Sequence, residues 1–166
     1  MMSYYWLRLA SAMPLLEHNI SANGHLFHCA RPRAAVLDWD DEEFPEDISS
    51  LNAGIDGIVY IFPLKFACLA LFADPLAKYR MADVTYNTAS FPSLVRTLSN
   101  LIQFNIQKNI DPPVILLGYK ERDSEERTLW EMTRGIGVVF ERVGERAGSG
   151  GKEVEVWVGT VEVRAS

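Results

Sequence analysis

The stretch DGIVYIFPLKFACLALFADPLAKYRMADVTYN, residues 56–87, decides how this chain folds. It begins like a strand, continues through an almost wholly apolar block, and ends in the polar motif ADVTYN at residues 82–87. The part between Pro63 and Pro75 has the length of a helix and poor strand alternation. We therefore predict a helix over residues 64–73 that packs loosely on a sheet or stays exposed.

Strand and helix patterns alternate on both sides of this stretch. The helix predicted after it carries apolar residues at helical spacing, namely Phe91, Leu94, Val95, Leu98, Leu101 and Ile102. A later strand is apolar throughout, which is typical of a strand covered on both faces. The patterns predict helices over residues 10–24, 88–104 and 124–137, strands over 33–39, 56–59 and 112–120, and a C-terminal hairpin over 138–163. This order indicates an α/β fold with a mostly parallel sheet and an antiparallel C-terminal hairpin.

Composition limits the class of protein. The 166 residues are 48% hydrophobic, which suits a single domain over residues 1–166. The net charge of −6 and the scattered basic residues argue against a nucleic-acid partner. The apolar run 60–73 is shorter than the ~20 residues that span a bilayer, so no membrane segment is predicted. Two cysteines and no clear signal peptide favour the cytoplasm.

Metal chemistry is not favoured by the sequence. His25, His28 and Cys29 have a spacing that could hold a metal ion, but no second pair of ligands follows at a suitable distance. A capping or surface role for these residues is the preferred interpretation, and no metal site is predicted. The acidic residues at 38–43 are interpreted as a solvated loop.

Two strand ends carry the residue types of a ligand site. Trp39 is the last residue of one predicted strand, and a tryptophan at the carboxyl end of a strand can form a wall against adenine. Asp83 and Tyr86 follow the next strand three residues apart, where they could face one pocket and orient a nitrogen nucleophile. The alternative is a buried tryptophan and a helix-capping aspartate, and the residues alone leave both interpretations open.

Four segments together resemble the seven-β-strand protein-lysine methyltransferases, also called methyltransferase family 16. They are AMPLLEHNI, VLDW, ADVTYNTASFPSLVRTL and PPVILLGYKERDSEERTLWEMTRGIGVVFERVG, and the resemblance covers about residues 10–59 and 81–163. It implies a Rossmann-like class I fold, S-adenosylmethionine as cofactor and a lysine of a protein substrate as methyl acceptor. By this resemblance Trp39 and Ala82 line the adenosine of the cofactor, while Asp83 and Tyr86 lie beside the target nitrogen.

The chain also departs from the family. The family begins with a strand and a glycine-rich turn that grips the cofactor, followed by a strand that ends in an acid for the ribose, and neither occurs here. We therefore expect an N-terminally truncated, incomplete domain whose cofactor binding is weakened roughly 10²- to 10⁴-fold. The missing first strand would lie between the second and the fourth. The strand that ends at Asp83 is thus expected to have an open edge and the chain to be poorly soluble.

Residues 60–80 are predicted to be an insert foreign to the family. Deleting them joins DGIV to MADVTYN and restores a continuous strand and motif. The peptide also reads as a translated intron: Val59-Tyr60 can encode a splice donor, residues 73–75 a branch point, and Tyr79-Arg80 an acceptor. The alternative is a genuine apolar helix that packs on the sheet.

Two further functions stay open at this point. Without the glycine-rich turn, the chain could be a non-catalytic interaction module or a defective product. It could also be an N-methyltransferase for small molecules on the same fold, because the sequence does not separate lysine from other amine acceptors.

Overall fold

A computed structural model describes much of the chain. The described residues are 13–15, 17–26, 34–38, 41–44, 58–62, 66–70, 78–82, 84–85, 87–148 and 153–162. They form three α-helices and seven strands in an α/β arrangement, as the sequence predicts.

The helices are α1 (residues 13–15 and 17–22), α2 (Phe91–Gln107) and α3 (Thr128–Gly135). The strands are β1 (Ala34–Asp38), β2 (Ile58–Phe62), β3 (Phe66–Ala70), β4 (Lys78–Ala82), β5 (Val114–Tyr119), β6 (Val138–Ala147) and β7 (Glu153–Val161). Short 3-10 turns lie at Gly24–Leu26, Thr88–Ser90 and Ser124–Arg127.

The described strands form one sheet in the order β1-β3-β2-β4-β5-β7-β6. Only two neighbouring pairs are parallel, β2 with β4 and β4 with β5. The other four pairs are antiparallel, and they include the predicted C-terminal hairpin of β6 and β7. The hairpin is therefore confirmed, whereas the mostly parallel, Rossmann-like sheet is not confirmed. The parallel pairing is confined to the three central strands.

The helix predicted over residues 64–73 is wrong. Phe66–Ala70 is a strand, β3, and it pairs on one side with β1 and on the other with β2. Only three residues separate β2 from β3 along the chain, a link that allows antiparallel pairing but is too short for a parallel crossover. As a strand, this apolar segment forms backbone hydrogen bonds with both of its neighbours. These hydrogen bonds would be lost if the segment were a loosely packed helix.

The expected open edge beside β4 is also wrong. β2 pairs in parallel with β4, with Ile61 opposite Met81. β2 therefore lies beside β4 at the position where the resemblance places the family's first strand. Since the edge of β4 is paired, the physical reason for expecting poor solubility is removed.

The core lies between β5 and the two C-terminal helices. All six apolar positions predicted for α2 are buried, and Leu94, Leu98 and Leu101 have no exposed surface. On β5, burial alternates: Ile115, Leu117 and Tyr119 are fully buried, while the residues between them are half-buried. The prediction that this strand is covered on both faces is therefore confirmed for one face, while the other face is half-buried.

The ends of α3 are fixed by local chemistry. Before it, the side chain of Asp123 accepts a hydrogen bond from the backbone N–H of Glu125 at 2.9 Å, so the 3-10 turn that leads into α3 is capped by an aspartate. After it, Gly137 has a φ of +82°, the left-handed conformation that ends helices and favours glycine. Gly137 thus separates α3 from β6, which begins at the next residue.

Gly159 in β7 gives a test of how tightly the hairpin packs on the core. It lies opposite Phe140 of β6, and a Cβ atom at Gly159 would come within 2.8 Å of the Phe140 ring, which also packs on Trp130. We expect Gly159→Ala to lower the free energy of unfolding by about 1–3 kcal/mol. Urea denaturation measures this.

Gly144→Ala in β6 is the matched control. A Cβ there would meet nothing within 4 Å, so we expect a change below about 0.5 kcal/mol. Equal effects of the two substitutions would contradict the packing of Phe140 on Gly159.

Candidate active site

The carboxyl ends of four strands lie along one edge of the sheet. β1 and β2 both run antiparallel to β3, so they point the same way, and Asp38 and Phe62 both lie opposite Phe66. β2, β4 and β5 are parallel, and Ala82 at the end of β4 lies opposite Gly118 of β5. Ligands of α/β sheets bind outside such carboxyl ends. We call this side the carboxyl edge.

Of the predicted site residues, only Ala82 is described, as the last residue of β4. Trp39, Asp83 and Tyr86 lie outside the described residues. Trp39 directly follows Asp38 and Asp83 directly follows Ala82, so each is bonded to a strand end of the carboxyl edge. β3 and β2 stand between β1 and β4, which separates those two strand ends by roughly 14 Å at ~4.8 Å per strand.

The connection from β4 to α2 holds the motif from both sides. Val84 and Thr85 are each only 1% exposed, although they lie between the polar residues of the motif. Asn87 donates a hydrogen bond from Nδ2 to Oγ of Ser90 at 2.8 Å, and Ser90 directly precedes α2. The motif is therefore anchored by its buried residues Val84 and Thr85 and by the hydrogen bond that Asn87, its last residue, makes with Ser90.

Aromatic rings assemble at the carboxyl end of β5. Trp130 of α3 packs edge-on against Tyr119 at 4.8 Å and against Trp157 at 5.1 Å between ring centroids. It also contacts Phe140 at 6.3 Å. We call Tyr119, Trp130, Phe140 and Trp157 the aromatic cluster. This cluster was not predicted from the sequence, although tryptophans on a helix and on the terminal hairpin were an available signal.

Charged residues surround this cluster. Arg127 donates from Nε to Glu121 at 2.8 Å, and its guanidinium lies 3.8 Å from a carboxylate oxygen of Glu155. Glu155 also accepts a hydrogen bond from the indole of Trp157 at 2.8 Å and one from Arg142 at 3.3 Å. Glu121 and Glu155 therefore share the guanidinium of Arg127 near the end of β5, and Glu126 in the 3-10 turn before α3 is buried.

The pKa of Tyr119 is raised to about 12, first because burial disfavours the charged phenolate and then because Glu121 and Glu126 repel it. In the unfolded chain a tyrosine has a pKa near 10. Between pH ~10 and pH 12 the unfolded state therefore binds fewer protons than the folded state, and stability falls as the pH rises through this window.

Tyr119→Phe tests this directly. We expect wild type to lose roughly 2–3 kcal/mol of unfolding free energy between pH 10 and 12 that the variant does not lose. Urea denaturation at a series of pH values gives both curves. Parallel curves for the two proteins would show that the phenol is not buried as described.

The described residues offer no other obvious ligand chemistry. No group of three His, Cys, Asp or Glu side chains among them is placed to hold a metal ion. His25 is exposed, while His28 and Cys29 lie outside the described part of the chain. None of the helices that the structure describes has the length and apolar character needed to cross a membrane. Asp41, Glu42 and Glu43 of the acidic loop are exposed.

Comparison with known proteins gives one match. A sequence model of the lysine methyltransferase family matches residues 78–135, about a third of the chain. The matched part runs from β4 to the end of α3 and contains Ala82, Asp83 and Tyr86 but not Trp39. No curated protein and no solved structure matches the chain. The match supports a methyltransferase at the level of the family.

Proposed function

We propose that this protein is an S-adenosylmethionine-dependent methyltransferase that acts on a lysine side chain of a protein substrate. One observation carries the proposal: the part that matches the lysine methyltransferase family contains the strand end Ala82 and the motif Asp83-x-x-Tyr86. β4, which leads into this motif, ends at the carboxyl edge, where α/β sheets bind their ligands.

The proposed roles follow from what methyl transfer to an amine requires. A free lysine has a pKa near 10.4, so its ammonium group must lose a proton before the nitrogen can attack. Asp83 would hold and orient this group, and Tyr86 would position it from the same segment. When bound, S-adenosylmethionine supplies the electrophilic methyl group. Trp39 and Ala82 are proposed to line its adenosine.

We propose that the carboxyl edge holds the adenosine of the cofactor better than its methionine end. Ala82 and the residue bonded to Trp39 are both strand ends on this edge, but β3 and β2 lie between them, so the adenosine would lie between strand ends roughly 14 Å apart. The strand beside β4 is β2, which ends at Phe62 and is followed by Pro63-Leu64-Lys65 rather than by a glycine-rich turn. We therefore propose weak binding of the methionine end of the cofactor.

The absence of a glycine-rich turn after β2 favours a second candidate, a non-catalytic interaction module. Glycine allows the backbone to approach a ligand closely, and residues 63–65 contain no glycine. On this alternative the sheet and the aromatic cluster are kept for contact with another protein. A cytoplasmic setting without nucleic acid belongs to both proposals and rests on the charge of −6 and the two cysteines.

Calorimetry with S-adenosylmethionine on the 166-residue chain separates the two candidates. We expect a Kd between roughly 10 µM and 1 mM for the enzyme, since cofactor and substrate constants fall in or near that range. Binding of the cofactor to the chain should be followed by methyl labelling of lysine in proteins of a cell extract, detected by mass spectrometry. No binding at 1 mM would favour the interaction module, and label found only in small molecules would contradict a protein substrate.

A further inference from the structure

Arg127 occupies a site that is built like a receptor for a cation. Its guanidinium lies over the ring of Tyr119 at 5.6 Å and near that of Trp130 at 5.9 Å. Glu121 and Glu155 pair with the same group. The arginine side chain is nevertheless 48% exposed. We call Tyr119, Glu121, Trp130 and Glu155 the cation cradle. It combines the two features that recognise ammonium and guanidinium groups, aromatic faces and carboxylates.

Three buried polar atoms, two in the cradle and one in Glu126, have no hydrogen-bond partner in the described structure. They are the hydroxyl of Tyr119, the Oε2 atom of Glu126 and the indole nitrogen of Trp130. Tyr119 is fully buried and Glu126 is only 2% exposed. Buried polar groups are normally hydrogen-bonded, because an unpaired buried group loses its hydrogen bonds to water and gains none within the protein. Tyr119 and Glu126 thus present oxygen acceptors that a donor-rich group could satisfy.

These acceptors belong to one neighbourhood. Glu126 lies in the 3-10 turn that leads into α3, four residues before Trp130. Trp130 packs on the ring of Tyr119. Arg127 lies over the ring of Tyr119 and pairs with Glu121 and Glu155, and the charges of these residues and of Glu126 shift the pKa of Tyr119.

The cradle is also close to the proposed reaction site. Tyr119 ends β5 one residue after Gly118, and Gly118 lies opposite Ala82 in the register of the two strands. Neighbouring strands are ~4.8 Å apart and consecutive Cα atoms 3.8 Å, so the Cα atoms of Ala82 and Tyr119 lie within about 9 Å of each other. An extended peptide of about three residues covers that distance.

We propose that the cation cradle binds a lysine or arginine of the protein substrate a few residues from the methylated lysine, and that Arg127 is an internal stand-in which this residue displaces. The inference rests on the proposed function. Exchange is feasible because Arg127 is half-exposed, and exposed ion pairs and cation–π contacts are individually weak. The net charge of −6 adds a general attraction for a basic segment.

Peptide binding without cofactor tests the proposal. The probe is a nine-residue peptide with a central lysine and an arginine four residues away, compared with the same peptide carrying alanine in place of the arginine. Titration is followed by the fluorescence of the tryptophans and by calorimetry. We expect the arginine peptide to bind wild type about 3- to 10-fold more tightly, with the difference shrinking as salt rises from 50 to 500 mM.

Substitutions in the cradle should change this affinity in opposite directions. Arg127→Ala removes the stand-in, so we expect about 3- to 10-fold tighter binding of the arginine peptide, whereas Glu121→Gln should weaken it by a similar factor. Arg134→Ala and Glu131→Gln remove exposed charges of α3 outside the cradle and should change little. Tyr119→Phe keeps the ring and removes the buried acceptor, so it should weaken binding a few-fold.

The outcomes separate this inference from the proposed function. Unchanged or weaker binding by a folded Arg127→Ala, checked by its thermal unfolding, would show that Arg127 is a structural ion pair and overturn the inference. So would failure of Arg127→Ala to fold while Glu121→Gln leaves binding unchanged. If the cradle variants leave methyl transfer unchanged, the proposed function would hold without a role for the cradle. Arginine-dependent binding without methyl transfer would support the cradle and contradict the enzyme.

Discussion

Deleting residues 60–80 should abolish the cooperative unfolding transition of this chain. The deletion removes the whole of β3, the last three residues of β2 and the first three of β4. β3 is the strand to which β1 is hydrogen-bonded, and β2 covers the inner edge of β4. The deleted chain would therefore expose a row of unpaired backbone groups at the middle of its sheet, which destabilises the fold and promotes aggregation.

Thermal unfolding followed by circular dichroism measures this result, and a pair of substitutions in β3 sharpens it. Cys68 pairs with Val36 on one side and with Tyr60 on the other. Cys68→Pro removes a donor in a strand flanked on both sides and should cost about 3 kcal/mol or more, whereas Cys68→Val should be tolerated. A deletion variant that unfolds cooperatively and is more soluble than the full chain would instead support the translated-intron interpretation.

Asp83→Asn should lower the rate of methyl transfer by roughly 100-fold or more while leaving the affinity for S-adenosylmethionine nearly unchanged. The proposed task of Asp83 is to hold a substrate ammonium and to orient it as it loses its proton, and a neutral amide keeps the size of the side chain but not its charge. Positioned acid–base groups typically contribute 10²- to 10⁴-fold. Single-turnover labelling of lysine gives the rate, and calorimetry gives the affinity for the cofactor.

The control for this substitution is Asp111→Asn. Asp111 is exposed in the turn between α2 and β5, and its loss should leave both quantities unchanged. A full rate in Asp83→Asn would remove Asp83 from the proposed site. A large loss of cofactor affinity would assign it to cofactor binding instead.

The parts of the fold that follow from local pattern were predictable. The amphipathic spacing from Phe91 to Ile102 gave α2 and its buried face, because a single stripe at a period of 3.6 residues has one way to be buried. The valine alternation of the last strand likewise gave the hairpin. In both segments, local propensity and the final structure agree.

The parts that depend on distant partners were not predictable. Phe66–Ala70 is a short apolar run that periodicity alone cannot assign, and pairing with β1 and β2 decides that it is a strand. The aromatic cluster depends on β7 placing Trp157 opposite Leu117, forty residues earlier in the chain. For the site, the strand-end motif was visible in the sequence, whereas the cation cradle requires ring and carboxylate contacts across β5, α3 and the hairpin.

The position of β7 between β5 and β6 also bears on how the chain is assembled during synthesis. β6 is hydrogen-bonded to β7 and not to β5, although it is made first. Until β7 leaves the ribosome, the ten-residue strand β6 has no described strand to pair with, and one edge of β5 is unpaired. Strands β1 to β4 have all been made by then and can pair among themselves, since domains are built from the N-terminus onward. The final nine-residue strand thus closes the sheet in a single late step.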